Sequence, residues 1–271
     1  MPVRVVASLD ADSTRLDLQL EIENRASDHR LRAHFPLPFD ATHSAADTPF
    51  HVTERAVISP RRDPGALELE LPTYPMWSFV DVSDGRAGLA LVAHGLHEYE
   101  VLPGPPQELT LTLLRSVGWL SRDDLVTRTG HAGPKLETPG AQVLGTHRVG
   151  YSLYFHAGGW QEAGVWRAAE AALLPLMPGR GDPVSAPAPV VELDPDCIQM
   201  TALLPRPGGY DLRFVNASDA AGEARIRFQP HPAEVRVITL GGELRQRLTA
   251  SDGMVRVAVR PWEIVTLRVT R

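Results

Sequence analysis

The sequence predicts an all-β chain built from antiparallel sheets, with a single helix and a smaller β unit towards its C-terminal end. Three observations predict it. Apolar residues alternate with others in run after run, glycine dipeptides separate those runs, and one proline-rich stretch divides the chain. Leu16, Leu18, Leu20 and Ile22 alternate first, then Leu67, Leu69 and Leu71, then Leu109, Leu111 and Leu113, and finally Val255, Val257 and Val259. Period two puts each set on one face of a strand in a sheet covered on one side. Asp84-Gly85, Gly241-Gly242 and Asp252-Gly253 stand between strand-like runs and can supply the positive φ angles of tight hairpins.

The one helical pattern is "GWQEAGVWRAAEAALL", in which Trp160, Ala163, Gly164, Arg167, Ala168 and Ala171 share a face and Pro175 closes the run. The prolines and glycines that follow read as a linker over 176–196. The expected organisation is therefore a large β unit over 1–175, the linker, and a small sandwich of about five strands over 197–271.

With 271 residues, 43% of them hydrophobic, the chain can bury a core without covalent staples. A net charge of -6, with arginines scattered among acids, argues against a nucleic-acid partner. Cys197 is the only cysteine, so no internal disulfide can form, and its acidic neighbours Asp194 and Asp196 suit a buried, inert thiol better than a reactive one. The N-terminus lacks the apolar core of a signal peptide, and no apolar run approaches the roughly 18 residues of a membrane span. The sequence thus reads as a soluble, cytoplasmic protein with no membrane partner.

Polar residues collect in "SVGWLSRDDLVTRTGHAGP", Ser116 to Pro134, either an active-site loop or a solvated connection. Asp123 and Asp124 are adjacent, so they point apart in a strand and make a poor pair of glycosidase carboxylates. His94 and His97 with Glu98, and His147 and His156 further on, lack the converging set that zinc wants, and no metal is assigned. Tyr151, Leu153 and Phe155 read as one face of a strand. The nucleophile elbow, the phosphate-cradling loops and the acidic calcium loop are missing, so no catalytic residue is assigned. "TYPMWSFVDVSDG" concentrates aromatics, with Trp77 and Phe79 expected in a core strand and Tyr74, beside Pro75, expected to be exposed as a sugar-stacking ring.

Several stretches taken in order resemble the C-terminal β region of glycoside hydrolase family 38, the α-mannosidases and their bacterial relatives. They are "IENRASDHRLRAHFP", "TYPMWSFVDVSDGRAGLALVAHGLHEYEV", "LLRSVGWLSRDDL" with "GHAGPKLETPGAQVLGTH", and the closing "YDLRFVNASD" and "PWEIVTLRV". The resemblance implies a large, mutarotase-like supersandwich followed by a smaller sandwich. It also implies that the zinc ion, its histidine and aspartate ligands and the nucleophilic aspartate belong to an N-terminal barrel-like domain. A barrel of that type takes ~200 residues or more, and β alternation here starts near Met1.

On this reading the chain carries no cofactor and is non-catalytic. It braces a catalytic domain, in cis or in trans, and shapes the rim of a cleft for mannose-containing glycans. Arg122, Asp124 and Arg128 are the candidate rim residues in the loop, with Tyr74 and Trp77 as further sugar contacts, while Arg122 pairing internally with a neighbouring acid stays open. The alternatives are a free-standing carbohydrate-binding module stacking sugars on Tyr74, Trp77 or Trp119, and a subunit completing a separately encoded barrel. A bared docking face would expose apolar surface and favour homo-oligomers.

Overall fold

The computed structural model describes residues 1–174 and 190–270. The chain divides into two compact units, Met1–Pro175 and Leu176–Arg271. The first holds strands β1 (Val3–Leu9), β2 (Arg15–Asn24), β3 (Arg30–Pro36), β4 (His43–Thr48), β5 (His51–Ala56), β6 (Thr73–Pro75), β7 (Phe79–Ser83), β8 (Ala87–His94), β9 (Glu98–Leu102), β10 (Glu108–Arg115) and β11 (Gly145–Ala157). They form a seven-stranded sheet in the order β1-β2-β11-β8-β7-β4-β5 and a four-stranded sheet in the order β3-β10-β9-β6.

Pairing is antiparallel, and its register explains the core. Leu16, Leu18, Leu20 and Ile22 of β2 face Leu153, Tyr151, Val149 and His147 of β11. Tyr99, Val101, Leu109 and Leu111 of the smaller sheet meet that apolar face in one continuous core, and Phe35 packs edge-on against Tyr151 with ring centroids 5.6 Å apart. A fully buried leucine such as Leu109 or Leu111 contributes roughly 1.5–3 kcal/mol over an exposed one. Two layers sharing one core make a sandwich.

The middle of the larger sheet departs from simple alternation. Phe79 to Val82 and Gly88 to Ala93 are buried on both faces, because helix α1 (Val165–Leu173) covers the side away from the core. Phe79 meets the rings of Trp160 and Trp166 there. The helix is shorter than its pattern suggests. Gly164 adopts a left-handed φ of 63°, a conformation that glycine tolerates and that delays the helix start. The buried helical residues are consequently Val165 and Ala169, one turn apart, while Arg167 is exposed instead of lying on the expected face. Pro175 lies outside the described residues.

Leu67, Leu69 and Leu71 do not form a strand. Their segment makes isolated bridges through Glu68 to Arg128 and through Glu70 to Arg61, and Leu67 and Leu71 point into solvent. Alternation without a neighbouring strand leaves the pattern nothing to bury against. The Asp84-Gly85 turn does join paired strands, β7 and β8.

The second unit holds eight described strands rather than about five: β12 (Val191–Asp194), β13 (Ile198–Arg206), β14 (Gly209–Asn216), β15 (Gly222–Phe228), β16 (Glu234–Ile238), β17 (Leu244–Leu248), β18 (Met254–Val259) and β19 (Ile264–Thr270). They form sheets β12-β15-β18 and β13-β14-β19-β16-β17 around a core that includes Phe214, Ile226, Phe228 and Leu267. Gly241-Gly242 closes the β16/β17 hairpin. Asp252-Gly253 is a tight turn bridged from Ser251 to Met254, but the strands it joins, β17 and β18, lie in different sheets.

Of the expected linker, 176–189 lies outside the described residues. Its end is a strand, since β12 pairs with β15. Val191 and Leu193 alternating with Glu192 and Asp194 carry that strand, a signal masked by the prolines before it.

Candidate functional site

The segment after β10 is a built loop. Four polar side chains hold it from beneath. The Asn24 amide donates to the carbonyl oxygens of Gln142 at 3.1 Å and Val143 at 3.0 Å. Ser116 Oγ donates to the same Gln142 carbonyl at 2.9 Å. Ser121 Oγ accepts from the backbone N–H groups of Ala132 at 3.0 Å and Gly133 at 3.1 Å, and Gln142 Oε1 accepts from the Asp28 N–H at 2.8 Å. Asn24, Ser116 and Ser121 are buried, and buried polar groups of this kind fix backbone geometry because leaving them unpaired is costly.

A second irregular segment locks onto the first. Backbone N–H groups of Leu69 and Thr129 donate to Thr127 and Leu67, each at 2.8 Å. Arg62 Nη2 reaches the Val126 carbonyl at 2.9 Å, and Arg128 pairs with Glu68. The outer surface of this double loop carries apolar side chains among charged ones. Leu67, Leu71, Leu120, Leu125 and Leu136 are exposed, and Val126 is 90% exposed. Valines and leucines held outward on a rigid loop form the kind of patch that marks an interaction site.

Beside them a groove of about 630 Å³ is lined by His29, Arg30, Arg115, Trp119, Arg122 and Leu125, among others. Both ring nitrogens of His29 are shut off from solvent with no partner among the described residues. Trp119 is half-buried, with the Lys135 ammonium 5.8 Å from its ring centroid. His29 was not singled out from sequence. Its only signal is a histidine at the mouth of β3, and seeing it needs the return of the chain from β10.

The sequence-derived residues divide between two places. Arg122 lines the groove but spends its guanidinium on Asp124, with Nε to Oδ1 at 2.7 Å. That hydrogen bond holds the Asp124 carboxyl below its ordinary range and pushes Arg122 up. Both are solvent-exposed, so the pair positions Arg122 more than it stabilises the fold. Asp123 faces His131 at 3.3 Å, so the two adjacent acids point to different partners and form no carboxylate pair. Arg128 braces the double loop through Glu68 and the His131 carbonyl.

Tyr74 and Trp77 lie elsewhere, at the β6 edge of the smaller sheet, and neither lines the groove. Their exposures reverse the expectation. Tyr74 is half-buried beneath the Arg55 guanidinium, 5.0 Å from the ring centroid. Trp77 is 63% exposed and stacks on His97 with centroids 5.7 Å apart. Only Phe79 is buried, against Trp160 and Trp166 on the helix side of the sheet, because the chain turns into β7 after Trp77.

His97 contacts the Met76 carbonyl at 3.2 Å, and His94 lies beside Ser152 and Asp17 on the other sheet. Among the described residues no three His, Cys, Asp or Glu side chains gather into a group that could hold a metal, and no helix is long and apolar enough to cross a membrane. Cys197 packs half-buried against the second core, where burial pushes its thiol up, away from reactivity. Tyr151, Leu153 and Phe155 do share a strand, β11, in which Phe155 is exposed and Tyr151 and Leu153 are buried.

The fold and the loop together define an all-β chain of two sandwich units, the first carrying a rigid loop groove. Residues 2–125 match the glycosyl hydrolases family 38 C-terminal domain, and residues 204–267 match the family 38 C-terminal beta sandwich domain. The chain belongs to glycosyl hydrolase family 38, as a C-terminal β region of that family. It is 29% identical over 274 residues to a Halalkalibacterium halodurans protein described as "Putative mannosylglycerate hydrolase", covering 98% of this chain and 28% of that protein.

An α-mannosidase from Enterococcus faecalis V583 superposes with a TM-score of 0.75 at 22% identity, over 98% of this chain and 28% of its own. A family 38 protein from Enterococcus faecalis superposes equally well, also at 22% identity, over 29% of its length. The chain therefore spans a little over a quarter of each relative.

Proposed function

We propose that the first unit braces the catalytic domain of an α-mannosidase-like glycosidase and contributes the rim of its sugar cleft, the double loop being the docking surface. The observation that carries this reading is the contrast between the two sides of that loop. Its underside is pinned by buried Asn24, Ser116 and Ser121, while its outer side presents Leu120, Leu125, Val126 and Leu136 to solvent. A solvated connection needs neither. Exposed leucines and a valine on segments that also carry Arg62, Arg122 and Arg128 supply residue types found at protein interfaces. Arg122, held by Asp124, is poised to donate to a sugar hydroxyl or a partner carboxylate through its remaining N–H groups.

The domain so braced supplies the zinc chemistry, in one polypeptide or as a separate subunit. The test uses a zinc-loaded family 38 barrel made separately. Adding this chain is expected to raise turnover of an aryl α-mannoside, whereas the chain alone is expected to give none. Zinc-dependent turnover by the chain alone, or no effect on the barrel, contradicts the proposal.

A second reading, a free-standing carbohydrate-binding module, is favoured by one observation, the exposed Trp77 ring stacked on His97. Rings presented this way can stack on pyranose faces. Calorimetric titration with mannose oligosaccharides separates the two readings: heat that vanishes in Trp77→Ala supports the module, and silence across a glycan panel removes it.

A further inference from the structure

Strand β1 ends the seven-stranded sheet, and all seven of its residues are exposed. The sheet's other edge, β5, carries Glu54 and Arg55, the kind of charge that blunts an open edge. In β1 the sequence is "VRVVASL", with Arg4 as its one charge. Val3, Val5 and Leu9 stand opposite Ile22, Leu20 and Leu16 of β2, so they extend the core-facing side of the sheet beyond its cover. They are 44%, 53% and 63% exposed.

The hydrogen-bond phase of this edge follows from one contact. The Glu23 N–H donates to the Pro2 carbonyl at 3.0 Å, and Arg4 is registered with Glu21, Val6 with Gln19 and Ser8 with Asp17. In an antiparallel ladder the bonded residues alternate. Pro2, Arg4, Val6 and Ser8 thus spend their main-chain groups on β2, while Val3, Val5, Ala7 and Leu9 aim theirs at the open edge.

We propose that this edge pairs with the same edge of a second copy of the chain, β1 against β1 about a two-fold axis at Val6. In that register Val3 lies opposite Leu9 of the second copy and Val5 opposite Ala7, each a pair whose free N–H and C=O groups can be exchanged. All four apolar side chains then fall on one face. Arg4 lies opposite Ser8, so no like charges meet. A register shifted to centre on Arg4 puts the two guanidiniums face to face, which disfavours it. The strand is self-complementary in shape, hydrogen-bond phase and charge, as an isologous contact requires. This surface is separate from the loop face proposed for docking, so each proposal can fail without the other.

The test reads mass and register in the full chain. Light scattering from about 5 to about 500 µM is expected to show the mass rising from 29.6 kDa toward twice that value. In a Cys197→Ser background, Val6→Cys is expected to cross-link to a dimer on mild oxidation. The two Val6 positions form a non-hydrogen-bonded pair with Cα atoms ~4.5 Å apart, within reach of a disulfide. Ser8→Cys, opposite Arg4, is expected not to. Val5→Pro removes an outward N–H and no bond to β2, and is expected to leave a monomer whose melting temperature is unchanged. A wild type that stays monomeric throughout, equal cross-linking of the two cysteine variants, or a Val5→Pro chain that still dimerises overturns the proposal.

Discussion

Asp81 and His156 meet across the large sheet with both side chains 3% exposed and 2.7 Å between Oδ1 and Nε2. The other ring nitrogen of His156 faces the Ala157 carbonyl at 3.3 Å, so the ring has two acceptors and suits the imidazolium. Burial opposes the charged ring, but the Asp81 carboxylate outweighs it and holds His156 above its ordinary value of 6.5. Burial likewise pushes Asp81 above 3.8 against the pull of His156.

Both upward shifts make the folded chain bind protons more tightly than the unfolded one. The contribution from His156 is therefore complete below pH 6.5 and is lost as pH rises through its raised folded value. Urea unfolding is expected to show stability falling as pH rises above about 6.5, through the raised folded value of His156, with a shallower fall in Asp81→Asn. Asp81→Ala is expected to cost about 3–5 kcal/mol, as breaking one side of a buried pair does. Gly88 lies across the ladder from His156, and a Cβ there would overlap the ring. Gly88→Ala is thus expected to cost about 1–3 kcal/mol and to flatten the same pH profile.

This pair was not legible in the sequence. Alternation in "RVGYSLYFH" separates His156 from the face of Tyr151 and Leu153, but its partner is 75 positions away, and only the order β11-β8-β7 brings the two together.

At the scale of elements, what was legible follows what periodicity can encode. β2 and β18 alternate because one face is buried, and each is legible from its leucines or valines; β10 is legible from Leu109, Leu111 and Leu113, although Thr110 and Thr112 on its other face are buried as well. The helix was half legible: its composition marks it, but Gly164 moves its start and its buried face. The double loop was legible as a cluster of polar residues and illegible as a structure. Asn24, Ser116, Ser121 and Gln142 act through backbone groups far along the chain, and no local pattern announces that. Asn24→Ala leaves the Gln142 and Val143 carbonyls short of a donor and is expected to cost about 1–3 kcal/mol. Hydrogen exchange is expected to quicken over 117–143 while the β2, β10 and β11 amides keep their protection. Uniform quickening of the whole unit would show that the loop has no stability of its own to lose.

At the scale of the molecule, the order of similar stretches along the chain was more informative than any one motif, and it led to the family before any site could be named. The site itself came through less completely. Arg122, Asp124 and Arg128 do fall on the loop, but Asp124 and Glu68 occupy the two outer arginines, and the exposed apolar residues around them carry the surface. Leu125 and Val126 look unremarkable in a sequence, where nothing distinguishes an outward valine from a buried one.

The most direct test of the account is the affinity of this chain for a separately produced family 38 catalytic barrel, measured for the wild type and for Leu125→Asp with Val126→Asp. The account predicts a complex in the micromolar range or tighter that weakens at least tenfold in the double variant, about 1.4 kcal/mol, while the melting temperature stays unchanged because both side chains are exposed. A wild-type chain that does not associate with the barrel, or a double variant that binds it as well as the wild type, would contradict it.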